Sequence, residues 1–590
     1  MTPPIGIGRS LAALALLTLS WVAAHGDAHA SDVQVGRADA LARLQGIDAY
    51  MEGVLRDWNG VGFGIAVVVG DDVVIAKGYG YRDYGRKLPF DAQTLFAIGS
   101  NTKLFTAVAA GMLVEAGQLS WDRPVRETVP QIQFNSTELT NTITLRDMLA
   151  HRTGISRHDS VWYGSGFTGQ ELFDRLRYLE PVAGLRERFL YNNLMYAAAG
   201  HIVELKSGMP WATFLRQRIL DPLAMHATTF GVASTLRAAP NAVVPYTERR
   251  VGLELYPMPL WDAADAGAAP AGAMVSNLED TSHWLVALMN EGRYAGRQVV
   301  PTAVLKATLE PANPLRNDSA ESRGWRELLR PVGGMGRLMA VYRGHALNYH
   351  GGDLPGFHSQ ISFMPAERLG VIVFAIGEHT QELPDPIGYH IYERLLDLQP
   401  TPWSERLLAD RANEKAAGNQ PRVQSGEPRV RNTRPSHALA DYAGEYEHPA
   451  YGVVRIDLSG KRLAFDFHGV SGPLSHVHYD RFDTADEEGQ ARYSMNFFGN
   501  SLGVIDKVTM SLDESDVTFV RRPGAKRSID LEDLLTIRTP QMLRLSADGQ
   551  WLVYRVAEGD IATNRPILQP TCFFVVSTKQ PNATSRALSL

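Results

Sequence analysis

Strand-like segments stand at the two ends of residues 35–400, and helix-like segments fill the middle of this stretch. Residues 62–69 and 73–81 are rich in Val and Ile and are separated by Gly70-Asp71-Asp72, which predicts a β-hairpin. Further strand-like segments appear only near the end of the stretch. This order predicts an α/β (α+β) body in which a helical insertion separates the strands.

Hydrophobic spacing locates the main elements of this body. Apolar residues recur at helical intervals in five segments, and three late segments have strand patterns. The predicted helices are 38–58, 104–116, 197–206, 281–289 and 387–398, and the predicted late strands are 337–342, 359–363 and 371–376.

A polar segment separates this body from the rest of the chain. Arg411–Ser436 has no aromatic residue and contains three prolines, which is typical of a linker. Tyr442–Arg522 is dense in short alternating segments and predicts a small all-β domain, either a barrel or a sandwich. We therefore divide the chain into a signal peptide (1–30), a body (31–405), a linker (406–436), a β domain (437–524) and a tail (525–590).

The first 30 residues have the pattern of a secretory signal. Arg9 supplies a short cationic region, Leu11–Ala24 is apolar, and Ala28-His29-Ala30 is a small-x-small cleavage site. An uncleaved membrane anchor is the alternative, although Ser20 and Trp21 interrupt a run that is already short for a bilayer. No later segment has about 18 uninterrupted apolar residues, so we expect no membrane span after cleavage and a secreted or periplasmic protein.

Charge and cysteine content exclude several functions. The 590 residues include 58 basic and 64 acidic side chains without a basic run, which argues against a nucleic-acid partner. Cys572 is the only cysteine, so neither an intrachain disulfide nor a cysteine-based zinc site can form. We expect no metal and no other cofactor.

Ser100 and Lys103 are the first candidate catalytic residues, because they open a strongly apolar helical segment. The two residues are three positions apart and share one helix face, so the amine can reach the hydroxyl. A buried lysine with a lowered pKa can take the proton of a serine nucleophile. A serine N-cap followed by a solvated lysine is the alternative interpretation.

Tyr191 and Asn193 form the second candidate element, in a loop just before a helix. A phenol in this place can pass a proton between nucleophile and leaving group, and Asn193 can donate to a substrate amide oxygen. A turn with a packed tyrosine would explain the same residues.

His350, Gly351, Gly352 and Asp353 form the third candidate element and precede a strand-like segment. Because the two glycines have no side chains, a substrate backbone can approach the sheet edge closely. We expect the backbone N–H of Asp353 to pair with that of Ser100 as an oxyanion hole. A glycine turn with a surface histidine is the alternative.

In this order, the three elements resemble those of the serine β-lactamase and penicillin-binding-protein superfamily, closest to its class C, esterase and D-aminopeptidase branch. That family has Ser-x-x-Lys, Tyr-x-Asn and a third element that begins with Lys or His and continues x-Gly. The surrounding segments Ile143–Gly154 and Gly272–Asp280 are similar to it as well. The resemblance covers about residues 35–400.

The resemblance implies an antiparallel sheet flanked by helices, with a helical subdomain. It also implies a covalent acyl-enzyme mechanism. Ser100 would attack a carbonyl, Lys103 and Tyr191 would handle its proton, and water would release the acyl group.

His350 departs from the form that is usual in β-lactamases and D,D-peptidases, where a lysine holds the substrate carboxylate. Histidine is largely neutral at pH 7. A third motif that begins with histidine is similar to the form found in family esterases and D-amino-acid peptidases. The resemblance therefore implies a serine hydrolase that cleaves an ester or amide bond in a small molecule or peptide, D-amino-acid peptides included, and the N-terminal signal predicts that it is secreted. The alternatives are a β-lactamase or D,D-carboxypeptidase, and an inactive sensor of peptidoglycan fragments, which would not need all three catalytic residues.

The β domain and the tail have resemblances of their own. Leu439–Tyr446 and Leu474–Phe482 resemble the small lipocalin-like barrel that is often appended to this hydrolase family. His476 and His478 share one strand face, but no third ligand accompanies them, so we expect no metal site there. Leu545–Tyr554 resembles an opening β-propeller strand of prolyl-oligopeptidase-like enzymes, and too few residues follow for a propeller, which predicts a truncated fusion without activity of its own.

Overall fold

The computed structural model describes residues 35–249, 252–260, 267–315, 323–419, 430–484, 493–513, 516–522, 539–546, 550–560, 565–577 and 586–588. The predicted signal peptide, residues 1–30, lies outside the described residues. The chain forms two compact units that divide after Arg521. Among the described helices, none has both the length and the apolar content that crossing a bilayer needs.

The centre of the first unit is a nine-stranded antiparallel sheet. Its strands lie in the order β4-β5-β6-β7-β8-β9-β1-β2-β3, so the predicted hairpin pairs with the last strand of the body. Strands β1, β8 and β9 are fully buried because helices cover both faces of the sheet, which explains the nearly continuous apolar sequences of β1 and β9. The strands are β1 Gly62–Val69, β2 Asp72–Asp83, β3 Leu88–Pro89, β4 Asn313–Pro314, β5 Leu328–Gly333, β6 Leu338–Tyr342, β7 His345–Leu354, β8 Phe357–Met364 and β9 Leu369–Ile376.

Helices cover the two faces of this sheet in two separate hydrophobic clusters. Helices α3, α4 and α5 belong to the cluster on one face, and α1, α2, α6 and α7 belong to the cluster on the other. The main helices are α1 Arg37–Arg43, α2 Ile47–Asp57, α3 Thr102–Glu115, α4 Asn193–Ser207, α5 Leu278–Met289, α6 Pro384–Leu395 and α7 Trp403–Asn419.

Shorter elements fill the insertion between β3 and β4 and the connections around it. The shorter helices are Val125–Thr128, Thr137–Thr142, Leu145–Leu149, Asp159–Trp162, Gly169–Arg175, Trp211–Leu215, Val232–Ala238, Ala269–Gly272, Thr302–Thr308 and, before the β domain, Leu439–Tyr442. The short strands are Phe96–Ala97, Thr229–Phe230, Tyr246–Glu248, Leu255–Pro257, Met274–Ser276, Arg293–Tyr294 and Arg297–Gln298.

The predicted mixed fold is confirmed, and two elements differ from their predicted form. The single helix predicted over 38–58 is two helices, because Gly46 adopts the left-handed conformation (φ 83°) between them. The segment predicted as a linker from residue 406 begins with helix α7. Arg411 and Lys415 of α7 pair with the Glu248 carboxylate at 2.5 and 3.0 Å, so tertiary contacts hold this polar segment in a helix. Residues 420–429 of that segment lie outside the described residues.

The β domain is a closed antiparallel barrel of eight strands, which decides between the two predicted forms. Closure occurs where β10 pairs with β17, at Tyr446–Arg521. Alternate residues such as Val454 and Ile456 are buried inside it. The strands are β10 Gly444–His448, β11 Gly452–Ser459, β12 Arg462–Phe467, β13 Val470–His478, β14 Arg481–Thr484, β15 Ser494–Gly499, β16 Ile505–Ser511 and β17 Asp516–Arg521.

The second unit contains a four-stranded antiparallel sheet, β18 Thr539–Leu545, β19 Trp551–Asp560, β20 Arg565–Ser577 and β21 Arg586–Leu588. Cys572 lies in β20. The likeness of this segment to a propeller strand stays a prediction.

Candidate active site

Ser100 lies in a 3-10 turn, Gly99–Asn101, that leads directly into α3. Ser359 of β8 fixes this turn, because its hydroxyl donates to the Ile98 carbonyl at 2.9 Å and accepts from the Asn101 amide at 2.8 Å. The turn is therefore attached to the central sheet, and the Ser100 hydroxyl stands at the start of a buried helix.

Lys103 lies one turn further along α3 and is fully buried, with 0% of its surface exposed. Its Nζ atom is 3.0 Å from Ser100 Oγ and donates to Asn193 Oδ1 and to the Ala271 carbonyl, both at 2.7 Å. Burial lowers the pKa of Lys103 well below its usual value. The alternative of a solvated lysine is therefore excluded.

Tyr191 precedes α4 and forms a side-chain hydrogen bond with Ser100. Its ring stacks on His151, with centroids 4.4 Å apart, and lies 4.9 Å from the Lys103 amine. Burial raises the pKa of Tyr191, while the bond to Ser100 and the nearby Arg157 act in the opposite direction. The phenol is thus protonated at neutral pH and contacts the Ser100 hydroxyl.

Asn193 is held between Lys103 and a carboxylate that the sequence did not single out. Its Oδ1 accepts from Lys103, and its Nδ2 donates to Asp159 Oδ1 at 2.9 Å. Asp159 also accepts from Arg157 Nε at 2.6 Å and from Trp162 Nε1 at 2.8 Å. Because a carboxylate can only accept, Asp159 fixes which end of the Asn193 amide faces the lysine.

The end of β7 lies beside the Ser100 turn. Pairing of β7 with β6 stops at Tyr349, whereas its pairing with β8 continues to Leu354. A Cβ atom on Gly352 would lie only 2.0 Å from the Ile98 carbonyl oxygen. This glycine therefore makes room for the chain's own turn and not, as predicted, for a substrate backbone.

The same close approach brings the predicted oxyanion donor, the Asp353 N–H, near the Ser100 turn. A Cβ atom on Gly99 would lie 2.9 Å from the backbone nitrogen of Asp353. By contrast, a Cβ on Gly351 would have its nearest neighbour 3.8 Å away, so space is open there. The proposed pairing of the Asp353 and Ser100 N–H groups stays a prediction.

His350 is buried in the site, with 8% of its surface exposed, so the surface-histidine alternative does not apply. Burial, reinforced by the nearby Lys103, lowers the pKa of His350 to about 4. The imidazole is therefore neutral at pH 7, as its residue type led us to expect. Behind it lies Arg337, which is 3% exposed and whose Nε and Nη2 atoms have no hydrogen-bond partner among the described residues.

These groups surround one cavity of about 460 Å³. Ser100, Tyr191, Asn193, His350, Gly351 and Asp353 all line it, and its apolar walls include Trp162, Leu338 and Leu354. Within the described ranges, no cluster of three or more His, Cys, Asp or Glu side chains is placed to hold a metal ion. In the barrel, His476 Nε2 lies 2.8 Å from the Tyr479 carbonyl, and His478 accepts from the Val430 N–H.

Four residues of this site were not predicted from the sequence. Arg157 and Asp159 lie in a loop that no periodic pattern could place, and Arg337 stands at the start of a predicted strand without any feature that marks it as buried. His151 lies within a segment that was noted only for its family resemblance. A polar loop with two opposite charges, next to a family motif, was the one signal available.

Comparison with known proteins agrees with this geometry. A family model described as "Beta-lactamase" matches residues 47–393, which include all the candidate catalytic residues. The chain belongs to the beta-lactamase family. A second model, "Domain of unknown function (DUF3471)", matches residues 428–524 and so covers the barrel of this beta-lactamase-family protein.

Two relatives of this beta-lactamase-family protein are distant in sequence. The unguisins hydrolase ungD' of Aspergillus campestris is 28% identical over 429 residues, which is 68% of this chain and 75% of that protein. Protein flp of Staphylococcus aureus is 27% identical over 344 residues, which is 56% of this chain and 62% of that protein. The protein is a serine hydrolase of the beta-lactamase fold.

A solved structure shares the fold of this beta-lactamase-family protein. The octameric penicillin-binding protein homologue from Pyrococcus abyssi is similar with a TM-score of 0.53 and 21% identity, over 80% of this chain and 99% of that one.

Proposed function

We propose that this protein is a secreted hydrolase that cleaves an ester or amide bond through an acyl-enzyme on Ser100. The observation that carries the proposal is the fully buried Lys103 amine, 3.0 Å from Ser100 Oγ. A lysine with a lowered pKa can act as a general base at neutral pH, and a serine hydroxyl needs such a base to become a nucleophile.

The partners of Lys103 determine where its lone pair points. A neutral amine has two N–H groups and one lone pair. Asn193 Oδ1 and the Ala271 carbonyl can only accept, so they take the two N–H groups. The lone pair then faces Ser100, whose O–H donates to Nζ.

In the acylation step, Lys103 takes the hydroxyl proton while Ser100 Oγ forms a bond to the substrate carbonyl carbon. The resulting oxyanion is placed to accept from the backbone N–H groups of Ser100 and Asp353. The bond to the leaving group then breaks, and the leaving oxygen or nitrogen receives the proton through Tyr191, whose raised pKa keeps it a protonated relay. Water attacks the acyl carbon by the reverse sequence and frees Ser100.

Esters and amides without an essential carboxylate fit this cavity best. The third motif supplies the neutral His350, and Trp162, Leu338 and Leu354 form apolar walls. D-amino-acid peptides belong to this group of candidate substrates, because the histidine form of the motif is similar to that of family D-amino-acid peptidases. Similarity to an unguisins hydrolase supports a hydrolytic reaction.

One observation favours a second candidate function, a β-lactamase or D,D-carboxypeptidase. The Arg157 side chain lines the cavity and is 55% exposed, so it can offer a cation to a substrate carboxylate. Asp159 already accepts from this guanidinium, which reduces the charge available to a ligand.

Turnover of a substrate panel tests the proposal. The panel contains p-nitrophenyl esters, D- and L-aminoacyl anilides and a chromogenic cephalosporin, each assayed with wild type and Ser100→Ala. We expect an ester or an aminoacyl anilide to be turned over fastest, and the variant to be inactive. Fastest turnover of the cephalosporin would support the second candidate, and equal turnover by the variant would refute the role of Ser100.

Secretion is tested separately, by determining the N-terminal sequence of the protein recovered from the extracellular or periplasmic fraction. The proposal predicts a mature chain that starts after Ala30. A full-length chain that retains residues 1–30 would contradict it.

A further inference from the structure

The C-terminal barrel contacts the loop that shapes the active site. This loop, residues 156–163, contributes Arg157, Trp162 and Tyr163 to the cavity wall. The next residue, Gly164, approaches the barrel closely, because a Cβ atom on it would lie 2.5 Å from the His468 carbonyl oxygen. The loop is therefore packed between the substrate cavity and the barrel.

Two barrel side chains hold the first residues of the loop. Asp513 accepts from the Ser156 hydroxyl and from the His158 backbone N–H, the latter at 3.3 Å. The Tyr451 hydroxyl is 2.6 Å from His158 Nδ1. These contacts are polar and nearly buried, with side-chain exposures of 7% for both His158 and Asp513.

The held residue has a backbone conformation that needs support. His158 adopts the left-handed region, with φ 45° and ψ 37°, which residues other than glycine rarely adopt. Such a conformation persists only where surrounding contacts stabilise it. Asp513 bonds to the backbone of His158 and Tyr451 to its ring, so the barrel supplies these contacts. The body also holds the start of the loop, because Asn192 Nδ2 donates to the Ser156 carbonyl at 2.5 Å.

Asp159 follows His158 directly and starts the short helix Asp159–Trp162. Through its bond to Asn193, Asp159 determines the acceptor that faces Lys103. A continuous series of hydrogen bonds and one peptide link thus joins the barrel to the catalytic amine.

We propose that the barrel positions the active-site loop, with Asp513 and Tyr451 as positioning residues that hold His158 so that Asp159 orients Asn193 against Lys103. This inference rests on the proposed function of Ser100 and Lys103. The barrel is then a required part of the hydrolase rather than an independent binding module.

Tyr451→Phe and Asp513→Ala test the proposal in the full-length protein. Each removes a contact to the loop, so we expect kcat/KM for the best ester to fall by about tenfold, since small misplacements of catalytic groups have effects of this size or larger. Tyr446→Phe and Asp466→Ala are matched controls, because the Tyr446 hydroxyl bonds within the barrel to the Tyr442 carbonyl and Asp466 is exposed.

A pH profile separates positioning from simple destabilisation. The titratable and charged groups that face Lys103 are Asp159, Arg157, Tyr191, Tyr196, His151 and His350. Of these, Asp159 and Arg157 lie on the loop and act in opposite directions, and the effect of Asp159, which stabilises the ammonium, is the larger. If the loop moves away from Lys103 in the two barrel variants, the acidic limb of the kcat/KM profile should shift to lower pH, as it should in Asp159→Asn. A purely structural role of the barrel would not cause this shift.

Hydrogen exchange of residues 156–163 provides a readout that does not depend on catalysis. We expect these amides to exchange at least about tenfold faster in the two barrel variants and at the wild-type rate in the two controls. Wild-type kcat/KM together with unchanged exchange in Tyr451→Phe and Asp513→Ala would overturn the proposal. So would equal losses in the matched controls. Failure of wild-type Ser100 to become acylated would refute the proposed function instead, and the exchange result would still report whether the barrel holds the loop.

Discussion

Asp159→Asn tests how the loop sets the protonation of Lys103. The hydrogen bonds through the Asn193 amide are 2.7 and 2.9 Å long, so with an amide width of about 2.3 Å the amine and carboxylate are at most roughly 8 Å apart. Two unit charges at about this distance interact by about 2 kcal/mol at an effective dielectric constant of about 20. The Asp159 side chain is 32% exposed, so solvent screening reduces the effect to about one pH unit.

The sign of the effect follows from the roles of the groups. Lys103 must be neutral to accept a proton, so kcat/KM rises as pH increases through its pKa. Removing the Asp159 charge lowers the pKa of Lys103 further and moves this limb to lower pH by about one unit. Asparagine at 159 can still accept from Asn193, which isolates the charge from the geometry.

Arg157→Gln is the partner measurement, because Arg157 acts on Lys103 with the opposite sign. In that variant the acidic limb should move to higher pH. Asp174→Asn, an exposed site on the helix Gly169–Arg175, is the charge control and should leave the limb in place. A limb that does not move in either loop variant, or that moves the same way in both, would refute the assignment of Lys103 as the base.

Three other variants test separate parts of the structure. Lys103→Met should slow acylation at least about a hundredfold, measured with an ester in stopped flow, and near-wild-type acylation would exclude the amine as base. Gly352→Ala places a Cβ 2.0 Å from the Ile98 carbonyl oxygen and should lower the free energy of unfolding by about 1–3 kcal/mol. Gly351→Ala is its control and should lower the free energy of unfolding clearly less, because its Cβ would have its nearest neighbour 3.8 Å away. Equal losses of stability in denaturant titrations would contradict the packing argument. Arg337→Met removes a buried guanidinium whose Nε and Nη2 atoms lack a hydrogen-bond partner in the described part of the chain, and it should raise the free energy of unfolding by about 1–4 kcal/mol. Because burial lowers the pKa of Arg337 to about 9, the gain should be full below that pH and shrink above it, and a lower Tm at pH 7 would refute the reasoning.

The sequence predicted the parts of the site that local periodicity controls. Ser100 and Lys103 meet because residues three positions apart share a helix face. The hairpin β1–β2 and the strand β9 were predictable because their Val- and Ile-rich segments are typical of β-strands. The order of the three motifs then identified the family, and with it the antiparallel sheet.

Features that depend on distant partners were not predictable. The polar composition of α7 indicates a linker, because nothing in the local sequence shows that Arg411 and Lys415 find Glu248. The reason for a glycine at 352 likewise lies in the Ile98 carbonyl, far away in the chain.

Asp159 illustrates the same limit within the site. Its effect on Lys103 passes through Asn193, and the loop that carries it is held by residues of another domain. Neither connection leaves a periodic pattern in the sequence. The loop therefore could be placed only in the structure.

Peptide-resolved mass spectrometry after brief treatment with a fluorophosphonate tests the central claim most directly. A neutral Lys103 held against Ser100 predicts a single adduct, on the peptide containing Ser100, that is absent from Ser100→Ala and forms far more slowly in Lys103→Met. An adduct on a different residue, or a folded wild-type protein that stays unlabelled, would contradict the acyl-enzyme mechanism and leave only the fold and family in place.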